Sequence, residues 1–163
     1  MVIWLIGLSA SGKTTIANLL FKRLKKKYIN IVHLDGDQVR KIYGEKIGHI
    51  TKDRYKNAER LSRLSKFLSD QKIHVIASVL SNFPEWQKWN KKNFKNYFQI
   101  YLKTDLKILK KRKPKLYRVK TKNVVGLDIK FNEPKNNNYV IFNSKSIKDL
   151  NKNANNFIKL NKL

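Results

Sequence analysis

The chain has 163 residues, 41% of them hydrophobic, the size of one ordinary domain with enough apolar surface for a real core. It holds no Cys, which excludes disulfide frameworks and thiolate metal sites, and its three His (His33, His49, His74) show no ligand spacing. The formal charge of +26 comes from Lys spread through unrelated stretches such as KKNFKN and NKNANN, so it reads as compositional drift, not as a nucleic-acid surface.

Residues 2–6, VIWLI, form an apolar run far shorter than the roughly 20 residues of a membrane span. With no basic segment before it, this run predicts a buried parallel strand of an untargeted, cytoplasmic protein. A helix over 13–27 follows, then a second strand near 31–34 that ends in an acidic, Gly-containing turn. Tyr55, Ala58, Leu61, Leu64 and Leu68 recur at spacings of three and four, which predicts a helix from Asp53 to Asp70. KIHVIASVL gives a third strand near 73–79, and Pro84 opens a helix, since proline is well tolerated in a first turn. YFQIYLK is a fourth strand, DLKILKKR a short helix, NYVIFN a fifth strand, and an amphipathic helix closes the chain from Ser144.

Strand alternating with helix predicts an α/β fold, a parallel sheet with helices on both faces, and ligands beyond the carboxyl ends of its strands. The chain reads as a single domain over 1–163, and its polar stretch of about 112–138, too long and irregular for a simple connection, reads as a functional lid or a disordered loop.

Gly7-Leu8-Ser9-Ala10-Ser11-Gly12-Lys13-Thr14 fits G-x-x-x-x-G-K-[ST] between a strand and a helix, the context a phosphate loop requires. Consecutive backbone N–H groups and the helix N-terminus attract phosphate; Lys13 reaches its outer oxygens, the Thr14 hydroxyl serves Mg²⁺, and Thr15 follows. No N-K-x-D motif is present, as common GTPases need, and large ATPases need more chain, which leaves a small nucleotide-type kinase using ATP and Mg²⁺.

LDGDQVR ends the second strand with Asp35, Asp37 and Arg40. Either carboxylate can hold Mg²⁺ through water or take a proton from an attacking hydroxyl, and Arg40 can neutralise an anionic acceptor. Arg54 and Asn57 stand three apart and so share one helix face, with Arg60 rotated partly off it.

GLSASGKTT, LDGDQVR, DRYKN, the serine of SVLSN and KLY…GLD…NEP occur in the order that resembles adenylylsulfate kinases, over nearly the whole chain. The resemblance implies a nucleoside-monophosphate-kinase-like fold and transfer of the ATP γ-phosphate to a nucleotide's ribose 3′-hydroxyl, with possible homodimers. It implies that Asp35 and Asp37 lie near the reacting groups. It places Arg40, His49, Arg54, Asn57, Leu80, Lys115 and Val124 around the acceptor and Tyr117 in the lid. Arg112 or Lys115 closes over the phosphates. Ser81 matches the serine that the family describes as a phosphoserine intermediate, although direct transfer needs only positioning and charge stabilisation.

Departures from the family fall on the acceptor side. IGHI replaces LGFS and NVVG replaces NFTG, so His49 and Val124 stand where two aromatics sandwich adenine; Asn82 replaces a proline, and the lid is shorter. Two acceptors follow: adenylyl sulfate, as in sulfate activation, or a smaller-based nucleotide such as cytidine diphosphoramidate, on which similar capsule-associated kinases act. A non-catalytic basic nucleotide- or RNA-binding protein is the alternative of another class; intact Lys13, Thr14, Asp35 and Asp37 speak against it.

Overall fold

The computed structural model describes residues 1–43, 48–80, 83–117, 121–143 and 146–163. In chain order the elements are β1 (Val2–Ile6), α1 (Lys13–Leu24), β2 (Ile31–Asp35), α2 (Gly36–Ile42), α3 (Thr51–Asp70), β3 (His74–Val79), α4 (Pro84–Asn93), β4 (Tyr97–Lys103), α5 (Leu106–Arg112), β5 (Tyr139–Phe142) and α6 (Ile147–Leu160). The strands lie in the order β2-β3-β1-β4-β5, and every pair is parallel.

All five residues of β1 are fully buried, as a central parallel strand covered on both faces requires. One face packs Ile3, Leu5, Ile76, Ile100 and Ile141 against Ile16, Leu20 and Leu24 of α1 and Phe157 of α6. The other packs Val2, Trp4, Ile6, Val75 and Ala77 against Leu61 of α3 and Phe94 after α4. Phe157 has no exposed surface and touches the rings of Phe98 and Tyr139 edge-on, at 5.8 Å between centroids in each case. Phe157→Ala is expected to lower unfolding free energy by about 3–5 kcal/mol, read by urea denaturation, because deleting a buried ring loses both transfer energy and packing.

Two boundaries differ from expectation for identifiable reasons. The first helix stops at Leu24, not residue 27: the N–H groups of Lys26 and Lys27 reach back three residues, to Arg23 and Leu24, and tighten the chain into a turn. After β2 the expected turn is a helix, α2, because Asp35 caps it by accepting the Asp37 N–H at 3.0 Å. Among the described residues, no helix is long and apolar enough to cross a membrane.

Candidate active site

The carboxyl ends of β1, β2 and β3 open onto a cavity of about 760 Å³. The loop after β1 forms its floor. Ala10 sits at φ 63° and Gly12 at φ 95°, so the chain turns sharply before α1 begins. A side chain at Gly12 would meet both this left-handed backbone and the Asn143 amide, 2.5 Å from an added Cβ. The first N–H groups of α1 have no helical partner and carry the positive end of its dipole toward the loop. Lys13 donates from Nζ to the Leu8 carbonyl at 2.8 Å. Burial pushes its ammonium down to about 8, against the pull of Asp37 and Asp35.

Asp35 is the most constrained group in the cavity. Its Oδ2 accepts the Thr14 hydroxyl at 2.9 Å and the Ser78 hydroxyl at 3.0 Å, while Oδ1 accepts the Asp37 N–H. Burial pushes this carboxyl up, but hydrogen bonds from Thr14, Asp37, Ser78 and Gln38 outweigh it and hold it below the usual carboxylate range. Asp37 lines the same cavity and is exposed to it. The Thr14 hydroxyl oxygen, with the Asp35 carboxylate fixed behind it, fits a hard cation such as Mg²⁺. Among the described residues there is no group of three or more His, Cys, Asp or Glu that could hold a metal ion.

On the far side of the cavity stand Arg40, His49, Arg54 and Asn57. Arg40 donates to the Gly48 carbonyl, leaving Nε buried without a partner among the described residues. Asn57, 4% exposed, donates to the Gly36 carbonyl at 3.2 Å, and its Oδ1 is likewise free to accept. Burial and the neighbouring Arg40 and Arg54 guanidiniums lower the His49 pKa, so His49 is a neutral ring at pH 7. Arg54 donates to the His49 carbonyl at 2.7 Å and to the Asn123 carbonyl at 2.9 Å, tying α3 to the lid.

Leu80 and Val124 also line the cavity, Val124 only 4% exposed and packed with Leu109 and Tyr117. Lys115 is exposed and outside the cavity wall, where Lys113 and Leu116 stand instead. Tyr117 donates to the Ser9 carbonyl at 2.8 Å, tying the stretch after α5 to the loop after β1. Its burial pushes the phenol up to about 12. Ser81 and Asn82 lie outside the described residues, as do 118–120 of the lid.

The lid turn closes on itself through Asp128, which accepts the N–H groups of Asn123 and Val124, the latter at 2.6 Å. Gly126, at φ 94°, rests against Leu8, whose methyls would lie 3.1 Å from a Cβ placed there. Gly126→Ala is expected to destabilise this turn by about 1–2 kcal/mol, the penalty of left-handed backbone, and to raise the acceptor KM several-fold more than it lowers kcat. Steady-state kinetics checks the split.

A second cavity, of about 440 Å³, adjoins the phosphate loop. Its walls are Arg112, Asn143, Ile147 and Leu150, beside Gly12 and Thr15. Arg112 donates to the Ala10 carbonyl at 3.4 Å, and Asn143 donates to the Ser11 carbonyl at 2.6 Å. A planar guanidinium facing aliphatic side chains suits a nucleobase.

Four further contributors take no role from the sequence alone: His33, Phe83, Asn143 and Ser78, which opens the SVLSN stretch whose other serine is Ser81. Phe83 lines the main cavity with its ring edge-on to Tyr55 at 5.1 Å. Its position just beyond β3, ahead of Pro84, is the sequence signal that marks it.

Residues 1–142 match the family described as adenylylsulphate kinase. The chain is similar to a cytidine diphosphoramidate kinase of Campylobacter jejuni, 38% identical over 141 residues that cover 82% of this chain and 81% of the relative. It is similar to a probable adenylyl-sulfate kinase of Archaeoglobus fulgidus, 33% identical over 150 residues, covering 89% and 97%. Among solved structures it resembles the Mycobacterium tuberculosis APS kinase in complex with AMPPNP and APS, with 27% identity, a TM-score of 0.83, and 99% and 97% of the two chains covered.

Proposed function

The chain belongs to the adenylylsulphate kinase family, and from that premise we propose that it moves the γ-phosphate of ATP, with Mg²⁺, to the ribose 3′-hydroxyl of a small anionic nucleotide. One observation carries this reading: Asp35 hydrogen-bonds the Thr14 hydroxyl beside Lys13, in the cavity that Asp37, Arg40, Arg54 and Asn57 share. The ATP phosphates rest over Gly7 to Thr14, and the nucleobase enters between Arg112 and Leu150. The Thr14 hydroxyl oxygen would hold Mg²⁺, with the Asp35 carboxylate reaching it through water, and the ion would supply neutralisation of charge on the transferred phosphoryl.

The acceptor occupies the Arg40, Arg54 and Asn57 side. Asp35 already accepts from Thr14, Ser78 and the Asp37 N–H, so its lone pairs are committed. Asp37 therefore orients the 3′-hydroxyl and takes its proton. Lys13, with Lys113 and Arg112 at the lid, balances the charge.

The base of the acceptor is a pyrimidine in this reading, as in the name of the Campylobacter relative. Val124 is buried within the lid against Leu109 and Tyr117 and offers no stacking face, and His49 supplies one small neutral ring. Adenylyl sulfate is the second reading, favoured by the family match and the Archaeoglobus relative. Competition between the two acceptors decides it: kcat/KM is expected to favour a cytidine diphosphoramidate, and preference for adenylyl sulfate would reverse the assignment. His49→Phe is expected to improve a purine acceptor about tenfold, the worth of a new stacking face.

A further inference from the structure

Ser78 and His33 lie beneath the phosphate loop on the face of the sheet covered by α1. Asp35 of β2 is the register partner of Ser78 of β3, and His33 stands two residues before Asp35, so the three side chains share one face. The Ser78 hydroxyl, 3% exposed, lies 3.0 Å from Asp35 Oδ2 and 3.1 Å from His33 Nε2. A hydroxyl has a single proton. The anionic carboxylate takes it in preference to a neutral imidazole, because charge-assisted hydrogen bonds are the stronger. His33 must then donate from Nε2 to the Ser78 oxygen. The result is a one-directional chain in which His33 donates to Ser78 and Ser78 donates to Asp35. Thr14 donates to the same Asp35 oxygen from the opposite side, out of the first turn of α1.

We infer that Ser78 and His33 are positioning residues for the Mg²⁺·ATP site: they fix Asp35 Oδ2 so that it takes the Thr14 proton and leaves the Thr14 oxygen lone pairs free for the cation. Without the Ser78 donor, Oδ2 keeps the Thr14 hydroxyl as its one side-chain partner, and the position of the acceptor that Thr14 needs is held less firmly. The backbone cap that Asp35 gives Asp37 is retained, so α2 and the fold persist. The inference rests on the ATP-kinase reading of the loop.

Calorimetric titration with ATP, in Mg²⁺ and again in EDTA, separates the two. Wild type is expected to bind ATP more tightly in Mg²⁺. Ser78→Ala and His33→Leu are expected to lose about tenfold or more of that Mg²⁺-dependent gain, the range seen when a group behind a metal ligand is removed, with unchanged affinity in EDTA. His33→Gln, whose side-chain N–H can replace the Nε2 donor, is expected to recover the gain. The acceptor KM should stay unchanged in all three. A Mg²⁺-dependent wild type with equally dependent variants overturns this inference alone, as does an equal loss in EDTA. A wild type indifferent to Mg²⁺ overturns the kinase reading with it.

Discussion

Replacing Lys13 with Ala is expected to lower kcat by about 10²–10³-fold or more, since the proposed mechanism assigns its ammonium to the charge that develops on the transferred phosphoryl. The fold should survive intact. The Lys13 ammonium spends its hydrogen bond on the Leu8 carbonyl of its own loop, and burial disfavours its charge in the folded protein. That shift has a signed consequence. The folded pKa is about 8 against an ordinary 10.5, so between those values unfolding takes up a proton and stability rises with pH. Lys13→Met should lack this rise: more stable than wild type at pH 7, its advantage should shrink as pH climbs from 8 to 10.5. Thermal melting across that range, beside turnover at pH 7, checks both halves.

Asp37→Asn is expected to reduce kcat by about 10²–10⁴-fold with little change in the Mg²⁺ concentration for half-maximal activity, because the proposed general base is lost while Asp35 stays in place. Asp35→Asn should behave differently. It should raise the Mg²⁺ requirement and also lower unfolding free energy by about 1 kcal/mol, since an N-cap carboxylate with several hydrogen-bond donors is removed. The two carboxylates are alike in sequence, two residues apart around a glycine, and the resemblance alone assigns both to the reacting groups. Their hydrogen bonds distinguish them. A parallel pair of Mg²⁺ titrations and denaturation curves reads the distinction, and identical phenotypes would contradict it.

The strand that opens the chain is legible in the sequence because a covered parallel strand needs an unbroken apolar run, and VIWLI is one. The phosphate loop is legible because its geometry depends on residue types at fixed spacing. Other features are hidden for physical reasons. The turn expected after β2 is a helix because one side chain caps it, a local choice that Asp-Gly sequences make either way. Ser78 meets Asp35 only through the register of β2 on β3, which no single segment encodes. Arg54 lies where DRYKN predicts a shared face with Asn57, yet its guanidinium reaches the lid backbone through a contact 69 residues away in sequence. Arg60, rotated off that face, lies over the Tyr43 ring at 4.4 Å. Long-range closure, not local pattern, decides such partners.

Transfer of label from γ-³²P-ATP tests the central claim most directly. Wild type, Mg²⁺ and a panel holding cytidine diphosphoramidate, adenylyl sulfate and plain nucleoside diphosphates are expected to give one labelled nucleotide, phosphorylated on its ribose 3′-hydroxyl, with transfer by Lys13→Ala lower by about 10²–10³-fold or more. The absence of any labelled nucleotide across the panel, or undiminished transfer by Lys13→Ala, would contradict it.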